Sequence, residues 1–509
     1  MWSESLLRLN VTEATWRPWR ASLPRLAPVQ LFGLLALAVL ALLVVYPIVL
    51  VGAQSFQVMS ADGSEHFGLG GWRALVEAAG LRRAIGNSLG ITLVVTAITV
   101  PLGFGISWLL ARTDLPWRNG FEFLFWLAYF LPTLTVTLSW ILVLDPKYGL
   151  ANQVLARLGL GPLNIYSFGG IVWVHLVSLG LAVKVILFTP ALRNLDSSFE
   201  DAASTAGASR LGTLWRISLP LLRPILLAVL LISATRLLEA FEIEQILGPP
   251  IGFFVLSTRI YDMINQPTPR FDEASALAIA LLIAVIGLIL LQQRWVGQRQ
   301  YVTVTGKFRN QPVRLAGWRW PLFGFMTLMA MLMIGVPLVF AVMGTFMRLF
   351  GFFTGDPWTL RHWVEALHQA ALLNALKNTF VIGLASAALG VAGYFGLACL
   401  IVRTKFRGRG PIDLASWLPT AIPGIVLSFA LASVALNVPF IRPLYGTTAV
   451  LVLAFVVATM PLGVQLLGGP SSSSPPSWRR RPTSRAAAGC GPHGRSRSHC
   501  WRPRSWSWG

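Results

Sequence analysis

Long apolar stretches, separated by short polar segments, dominate the chain. A helix needs about 20 apolar residues to cross a bilayer, and nine stretches come close to or exceed that length. They cover residues 31–54, 89–111, 123–144, 169–192, 274–291, 320–347, 379–402, 414–436 and 448–467. A tenth stretch, residues 219–247, is interrupted by charged side chains. This pattern predicts an all-α polytopic membrane protein with about ten transmembrane helices.

The polar segments between these stretches alternate in charge. Basic residues outnumber acidic ones in the N-terminal arm and in residues 112–118, 294–319 and 403–409. Counting spans from the N-terminal arm places residues 200–220 on the same side. In the intervening loops, acidic residues nearly balance the basic ones. Since basic loops stay in the cytoplasm, the alternation predicts a cytoplasmic N-terminus and a multi-pass arrangement in the membrane.

Composition supports the same class. The 509 residues are 55% hydrophobic and 12% charged, whereas about 25% of residues are charged in a soluble domain. Eight of the basic residues behind the net charge of +21 are arginines of the tail after residue 470, and most of the others lie in segments beside apolar stretches, so lipid is the expected partner and nucleic acid is not. The three cysteines, Cys399, Cys490 and Cys500, suggest neither a disulfide framework nor a metal cluster.

A polar segment at residues 200–220 reads E-D-A-A-S-T-A-G-A-S-R-L-G-T-L-W-R-I-S-L-P. It resembles the cytoplasmic EAA loop of ABC importer permeases, whose pattern is E-A-A, three residues, G, nine residues, I-x-L-P. Asp replaces the motif's Glu, and a second acid precedes it. The residues that carry the resemblance are Glu200, Asp201, Ala202, Ala203, Gly207, Ile217, Leu219 and Pro220.

Each residue type in this segment has a local role. Carboxylates favour a helix N-terminus, small alanines leave a surface that can enter a groove, and Gly207 permits a sharp turn. Pro220 interrupts the chain where the next helix begins. The alternative is an ordinary cytoplasmic loop with a capped helix. The resemblance implies a type I ABC importer permease fold, a separate ABC ATPase dimer that receives this loop, and a periplasmic substrate-binding protein in a bacterial inner membrane.

The sequence lacks the motifs of an enzyme. No G-x-x-x-x-G-K-[ST] occurs, because Gly306-Lys307 is followed by Phe308, and H-E-x-x-H is absent. The spacing G-x-S-x-G occurs once, as G-N-S-L-G at residues 86–90, but it leads into an apolar stretch of membrane-spanning length and not into the strand-to-helix turn that a catalytic serine of this motif needs. We therefore expect no catalytic residue, no metal site and no cofactor in this chain, and we expect ATP hydrolysis in another subunit. A membrane enzyme is the class that this disfavours.

The chain repeats itself at an offset of 291 residues. The segment around Asn87-Ser88 matches that around Asn378-Thr379, and Pro132 matches Pro423. Chance similarity between apolar helices is the alternative. The repeat predicts two fused permease units in parallel orientation. The expected division is a cytoplasmic arm (1–30), a first unit (31–293) with the EAA loop at 196–220, a cytoplasmic linker (294–319) and an incomplete second unit of four helices (320–467).

Charges within an apolar stretch are costly and usually face the bundle interior or water. Arg236, Glu239 and Glu242 are therefore candidates for the translocation path or its gate. The alternative is that their helix surfaces early and the acids lie in the outer mouth. His175 is expected to be a polar packing contact rather than a ligand, and Lys184 is expected to extend to the cytoplasmic surface.

Two fused units of this size resemble the ferric-iron and thiamine branch of these permeases. Residues 241–261 and 299–307 are similar to the iron branch, which implies iron(III) as the substrate. Thiamine or another small solute is the alternative within the same fold. A secondary transporter with parallel repeats is the alternative from a different class.

The last segment, residues 468–509, differs from the rest. It is rich in Arg, Ser and Pro and contains four Trp. When the last base of each codon is joined to the first two of the next, permitted codons for residues 476–482 read E-L-E-E-A-A, and the spacing of residues 200–220 can follow. In that frame His499-Cys500 and Cys500-Trp501 must each encode Leu. We expect a disordered basic tail translated out of frame after a frame change near residues 468–470.

Overall fold

The computed structural model describes residues 28–59, 65–195, 203, 205–207, 209–296, 312–352 and 356–468. Four predicted features lie outside these residues, wholly or in large part: the N-terminal arm, Glu200 to Ala202 of the loop, most of the linker, and the tail. The described chain is almost entirely helical, which confirms the all-α fold class.

The helices follow the apolar stretches, with short helices between them. Their bounds are α1 Pro28–Leu40, α2 Tyr46–Gln54, α3 Gly70–Glu77, α4 Ala79–Arg112, α5 Arg118–Phe130, α6 Thr133–Leu144, α7 Leu150–Arg157, α8 Phe168–Val177, α9 Leu179–Arg193, α10 Arg210–Thr213, α11 Leu219–Leu238, α12 Glu242–Leu247, α13 Leu256–Ile264, α14 Phe271–Val296, α15 Arg319–Ala330, α16 Val336–Phe346, α17 Arg361–His368, α18 Ala370–Arg403, α19 Arg409–Trp417, α20 Gly424–Asn437 and α21 Thr448–Gly468. Two short antiparallel strands, β1 Gln57–Met59 and β2 Glu65–Phe67, form a hairpin after α2.

Within the described residues, seven helices are long and apolar enough to cross a membrane, and the number reaches ten if each of three bent helix pairs is one span. The seven include two, Pro28–Gln54 and Ala316–Phe346, that continue through a π-helical turn. The expectation of about ten spans is therefore met when the bent pairs are counted.

Three of the expected spans, residues 123–144, 169–192 and 414–436, are bent helix pairs and not continuous helices. The first is bent by 97° between α5 and α6, the second by 40° between α8 and α9, and the third by 116° before α20. Leu131 and Ile422 are extended, with ψ near 129° and 120°, because the residue before a proline avoids the helical region. Pro132 and Pro423 thus break their helices at matching positions.

The same elements recur at the offset of 291 residues. The short helices α3 and α17 have the same length and lie 291 residues apart. The long helices that follow them, α4 and α18, also have the same length and the same offset. Helices α5 and α19 begin at Arg118 and Arg409, and α6 and α20 begin at Thr133 and Gly424. Helix α4 packs along α9, and α18 packs along α21 in the same way.

The two halves exchange their first helices. Helix α2 packs on α20, where Ser433 Oγ donates to Gln54 Oε1 at 3.3 Å. Helix α16 packs on α6, where Ser139 Oγ donates to the Pro337 carbonyl at 2.8 Å. One hydrophobic cluster consequently contains residues from α1, α2, α14, α18, α20 and α21, and another joins the core of the first half to α15. This exchange brings the breaks in the bent helices towards one another.

Candidate functional site

A cavity of about 750 Å³ lies between the two halves of the protein. Its walls come from α5, α6, α8, α9, α11 and α12 of the first half and from α20 of the second. The lining residues are Tyr129, Thr133, His175, Ser178, Leu179, Gly180, Val183, Lys184, Leu187, Val229, Ile232, Ser233, Arg236, Leu237, Glu239, Ala240, Phe241, Glu242, Ile243, Glu244, Gly424, Ile425 and Ser428.

The cavity lies where the helices are broken. The junctions α5–α6, α8–α9 and α11–α12 all contribute to its wall, and so does the start of α20. Inside a bilayer, backbone that is not helical is tolerated only where it is buried in protein or lines a water-filled cavity. The breaks therefore lie where the cavity can accommodate non-helical backbone.

The three charged residues that the sequence singled out all line this cavity. Arg236, near the end of α11, places its NH1 atom 3.5 Å from Glu239 Oε2. The Arg236 side chain is exposed, whereas that of Glu239 is nearly buried. Glu242 follows at the start of α12 and is exposed. The structure thus brings these residues together at the junction of α11 and α12.

A buried His–Glu pair closes another part of the wall. His175 Nε2 lies 2.7 Å from Glu244 Oε1, and both side chains are buried. No described residue hydrogen-bonds to Glu244 Oε2. His175 makes the polar packing contact that the sequence suggested, but its partner could not be predicted, because the two residues are 69 positions apart.

The position of the Lys184 side chain differs from the prediction. Its side chain does not extend to the surface, since the residue is 5% exposed and lines the cavity. A Cβ on Gly103 of α4 would lie 2.5 Å from Lys184 Cβ. The absence of a side chain at Gly103 lets α9 approach α4 so closely that the stem of Lys184 is held inside the bundle.

The described part of the loop places its small residues in different environments. Ala203 is buried within the chain, so it is not part of an outward surface as expected. Thr205, Ala206 and Gly207 are exposed. Gly207 has φ +82°, and a Cβ there would meet nothing within 4 Å. Glycine is therefore favoured at this turn for its backbone conformation rather than for lack of space.

The second part of the loop leads directly into α11. The Ser209 hydroxyl accepts a hydrogen bond from the Gly212 amide at 3.1 Å and caps the short helix α10. A π-helical turn, Leu214–Ser218, contains Ile217 and joins α10 to α11. Leu219 and Pro220 form the first turn of α11, where the missing N–H of proline costs nothing.

Two arginines anchor the loop at its first end. Arg112, buried at the end of α4, donates from NH1 to the Leu195 carbonyl at 2.9 Å. Arg193, at the end of α9, makes two hydrogen bonds with the Glu122 carboxylate of α5, of 3.1 and 2.5 Å. The ends of α4 and α9 and the start of α5 are thereby joined where the chain enters the loop.

The described residues contain no group of three or more His, Cys, Asp or Glu side chains arranged to hold a metal ion. Of the three cavity carboxylates, Glu239 is paired with Arg236 and Glu244 with His175, whereas Glu242 is exposed.

Residues 103–300 match the family model described as binding-protein-dependent transport system inner membrane component. This match includes the loop and every first-half residue of the cavity wall. The family comprises membrane components of transporters and is not a family of enzymes.

Two curated relatives are ferric transport permeases by name. The chain is 27% identical to the putative ferric transport system permease protein FbpB 1 of Haemophilus influenzae over 401 residues, covering 75% of this chain and 60% of the relative. It is 28% identical to the ferric transport system permease protein FbpB of Actinobacillus pleuropneumoniae over 402 residues, covering 75% and 56%. The chain therefore spans about 60% or less of the length of these relatives.

A solved structure of a bacterial ABC transporter involved in the import of the acidic polysaccharide alginate matches with a TM-score of 0.46 and 20% identity. The match covers 53% of this chain and 96% of that chain.

Proposed function

We propose that this chain, whose residues 103–300 belong to the family of inner membrane components of binding-protein-dependent transport systems, is the translocating permease subunit of an ABC importer with the type I fold. It is a multi-pass inner-membrane protein. The observation that carries the proposal is the cavity between the halves, which is lined by the breaks of several spans. A loop with the spacing of an ATPase-coupling motif lies in the same unit.

In this proposal the loop at residues 196–220 receives force from a separate dimer of ABC ATPase subunits. Thr205, Ala206 and Gly207 form its exposed small-residue surface. The π-helical turn transmits any movement of that surface into α11, because Leu219 continues the helix without a flexible linker. Helix α11 ends at Leu238, and Arg236 and Glu239 on either side of this end line the cavity wall. A displacement of the loop would therefore act on the cavity through one rigid helix.

The proposed substrate is iron(III), delivered by a periplasmic binding protein. Support comes from the two relatives named as ferric transport permeases and from the carboxylates of Glu239 and Glu242 in the cavity. Hard cations prefer such oxygen ligands. Thiamine or another small solute is the alternative cargo. A secondary transporter would carry intramembrane acids but has no use for an ATPase-coupling loop.

We also propose that residues 31–293 and 320–467 are two units of one fold, and that the N-terminus, the loop and the linker face the cytoplasm. The recurrence of α3 to α6 as α17 to α20 supports the two units. The basic ends of α4 and α18, Arg112 and Arg403, support the orientation.

A comparison of α4 with α18 supports an incomplete second unit. Val100 of α4 is 9% exposed, but its counterpart Val391 is 61% exposed. At other positions the two helices agree, since Leu93 and Leu384 are 70% and 72% exposed. One face of α18 is therefore exposed, whereas the corresponding face of α4 is packed against other residues.

In the first unit this face is covered by α11 and by the segment before α13. Val100 packs with Leu222 and Val229 of α11, and Asn87 Nδ2 donates to the Phe254 carbonyl at 2.9 Å. The second unit keeps an amide at Asn378, which is exposed. A segment like residues 195–256 would complete it, and such a segment is what the alternative frame of the tail would begin to encode.

The experiment that tests the proposed function is uptake of radiolabelled iron(III) by cells that lack their own ferric importers. Cells expressing the chain with its ATPase and binding protein should accumulate iron while ATP is available. Uptake that persists without ATP and follows an imposed ion gradient would favour the secondary transporter. Uptake of labelled thiamine instead of iron would keep the permease and change its cargo.

A further inference from the structure

Lys184 places an amine in the cavity wall that has no ion-pair or hydrogen-bond partner in the described chain. The residue is 5% exposed, and no described residue forms an ion pair or hydrogen bond with its ammonium group. A charge held inside a bilayer-spanning bundle without a counter-ion is costly. The site is therefore arranged for a negative group that is not part of the described chain.

The carboxylates of the cavity do not supply that group. Glu239 is engaged by Arg236, and Glu244 is engaged by His175. Glu242 is exposed at the start of α12, where water can solvate it. Apart from the phenol of Tyr129, Lys184 is therefore the titratable side chain of the cavity lining that has neither a partner in the described chain nor exposure to water.

Three helices add positive potential to the same cavity. Helices α6, α9 and α20 contain 12, 15 and 14 residues and begin at Thr133, Leu179 and Gly424, which all line the cavity. None of the three has a side-chain hydrogen bond at its N-cap. The first N–H groups of a helix have no partner within the helix, and together with the helix dipole they favour an anion.

Glycines keep this part of the wall accessible. A Cβ on Gly180, in the first turn of α9, would lie 2.3 Å from the His175 carbonyl oxygen, so only glycine allows the tight junction from which α9 starts. A Cβ on Gly424 would meet nothing within 4 Å, so the start of α20 is open. The cavity of about 750 Å³ is within the range of small-molecule sites.

We propose that the wall formed by Lys184 and the starts of α6, α9 and α20 binds an oxyanion, a carboxylate or a phosphate, that accompanies the cargo. This inference rests on the proposed function for the identity of the cargo, but not for the binding of the anion. Lys184 supplies the charge and the helix starts supply N–H donors. Arg236 and the three glutamates remain on the neighbouring wall, where a cation bound to that anion could lie.

The test is the thermal stability of the purified chain in lipid nanodiscs. Inorganic phosphate or citrate is added at low millimolar concentration, with sodium chloride at equal ionic strength as the reference. A ligand that binds only the folded protein raises its Tm, and the rise is about 3 °C when the ligand concentration is well above Kd. We expect this rise in the unmodified chain and in Lys184→Arg, and its loss in Lys184→Met.

Lys377→Met is the matched control, because Lys377 is exposed on α18 and does not line the cavity. Phosphate and citrate can also stabilise proteins by exclusion from their surface, and that effect would be equal in all variants. No anion-specific rise in the unmodified chain with either the free or the iron-loaded anion, or an equal rise in Lys184→Met, would overturn the proposal. If Lys184→Met does not fold, Lys184→Gln takes its place with the same expectation.

Two sources of the anion are distinguished by adding iron(III). A rise with citrate or phosphate alone indicates a free anion, and a rise only with the iron-loaded anion indicates one that arrives on the metal. Either result supports the site. If no anion raises the Tm while ATP-dependent iron uptake persists, the anion site is ruled out and the proposed importer function is retained.

Discussion

His175 Nε2 lies 2.7 Å from Glu244 Oε1, and this buried bond joins the end of α8 to α12. Each of these helices ends or begins at a break in the cavity wall. The pair therefore fixes the relative position of two broken spans. Since no described residue hydrogen-bonds to Glu244 Oε2, His175 is the described polar side chain that holds this carboxylate.

Removal of the imidazole should destabilise the protein. In His175→Ala the buried carboxylate of Glu244 loses its partner, which costs about 1–3 kcal/mol for an unsatisfied buried group. The measurement is thermal unfolding in detergent of His175→Ala, Glu244→Ala and the double variant, which together form a double-mutant cycle. We expect the two effects to be strongly non-additive. His368→Ala, at an exposed position on α17, is the control. Additive losses would show that the bond does not couple the two helices.

The charged junction of α11 and α12 should matter for transport. Alanine at Glu239 and Glu242 together removes the two carboxylates proposed for the path, and we expect iron uptake to fall at least tenfold with the protein still in the membrane. Glu77→Ala, exposed outside the cavity on α3, should leave uptake unchanged. Normal uptake by the double variant would place these acids in the outer mouth instead.

Gly207 offers a matched test of the coupling loop. Its φ of +82° is strained by about 1 kcal/mol for a residue with a side chain, and its surroundings are open. Gly159 has φ +71° and equally open surroundings in another loop. We expect Gly207→Ala to reduce ATP-dependent uptake, and Gly159→Ala to cost similar stability without that loss. Equal uptake by the two variants would contradict a special role for the turn at Gly207.

The exposed face of α18 can be tested with cysteines in a background in which Cys399, Cys490 and Cys500 are replaced by Ser. Val391→Cys and Leu384→Cys should both react with a membrane-permeable maleimide in the chain as it stands, because both positions are exposed. When the reading frame is shifted by one base after residue 468, we expect Val391→Cys to become protected. Leu384→Cys should stay reactive, as its counterpart Leu93 is exposed in the first unit.

Protection of neither cysteine in the frame-shifted product would mean that the alternative frame does not supply the covering segment. Protection of both would indicate a general change in the membrane environment rather than docking on one face.

The positions of the spans were predictable because long apolar stretches have few alternatives in a bilayer. The breaks were less evident. Pro132 and Pro423 were recognised as a matching pair, but the extended conformation they impose on Leu131 and Ile422 was not used to divide the helices. The candidate charges Arg236, Glu239 and Glu242 all line the cavity, where a charge within a span can find water or a partner; their place in a translocation path or gate stays a prediction.

The roles of Lys184 and Glu244 could not be predicted from sequence. Lys184 lies inward because Gly103, 81 positions earlier in the sequence, leaves room for its stem. Glu244 is buried because His175 meets it across the cavity wall. Both depend on contacts between helices that are distant in sequence, and hydrophobic periodicity carries no information about such contacts. The burial of Ala203 has the same origin, since the surface of a short helix depends on what it packs against.

The most direct test of the central claim is whether the chain forms a complex with an ABC ATPase through residues 200–207. The chain is purified from its host in mild detergent, and the ATPase subunit bound to it is quantified with and without replacement of these residues by a Gly-Ser linker. The account predicts a stable complex, ATP hydrolysis stimulated by the substrate-loaded binding protein, and loss of both on replacement. A chain that retains the same ATPase after the replacement, or that binds none and transports under an ion gradient, would contradict it.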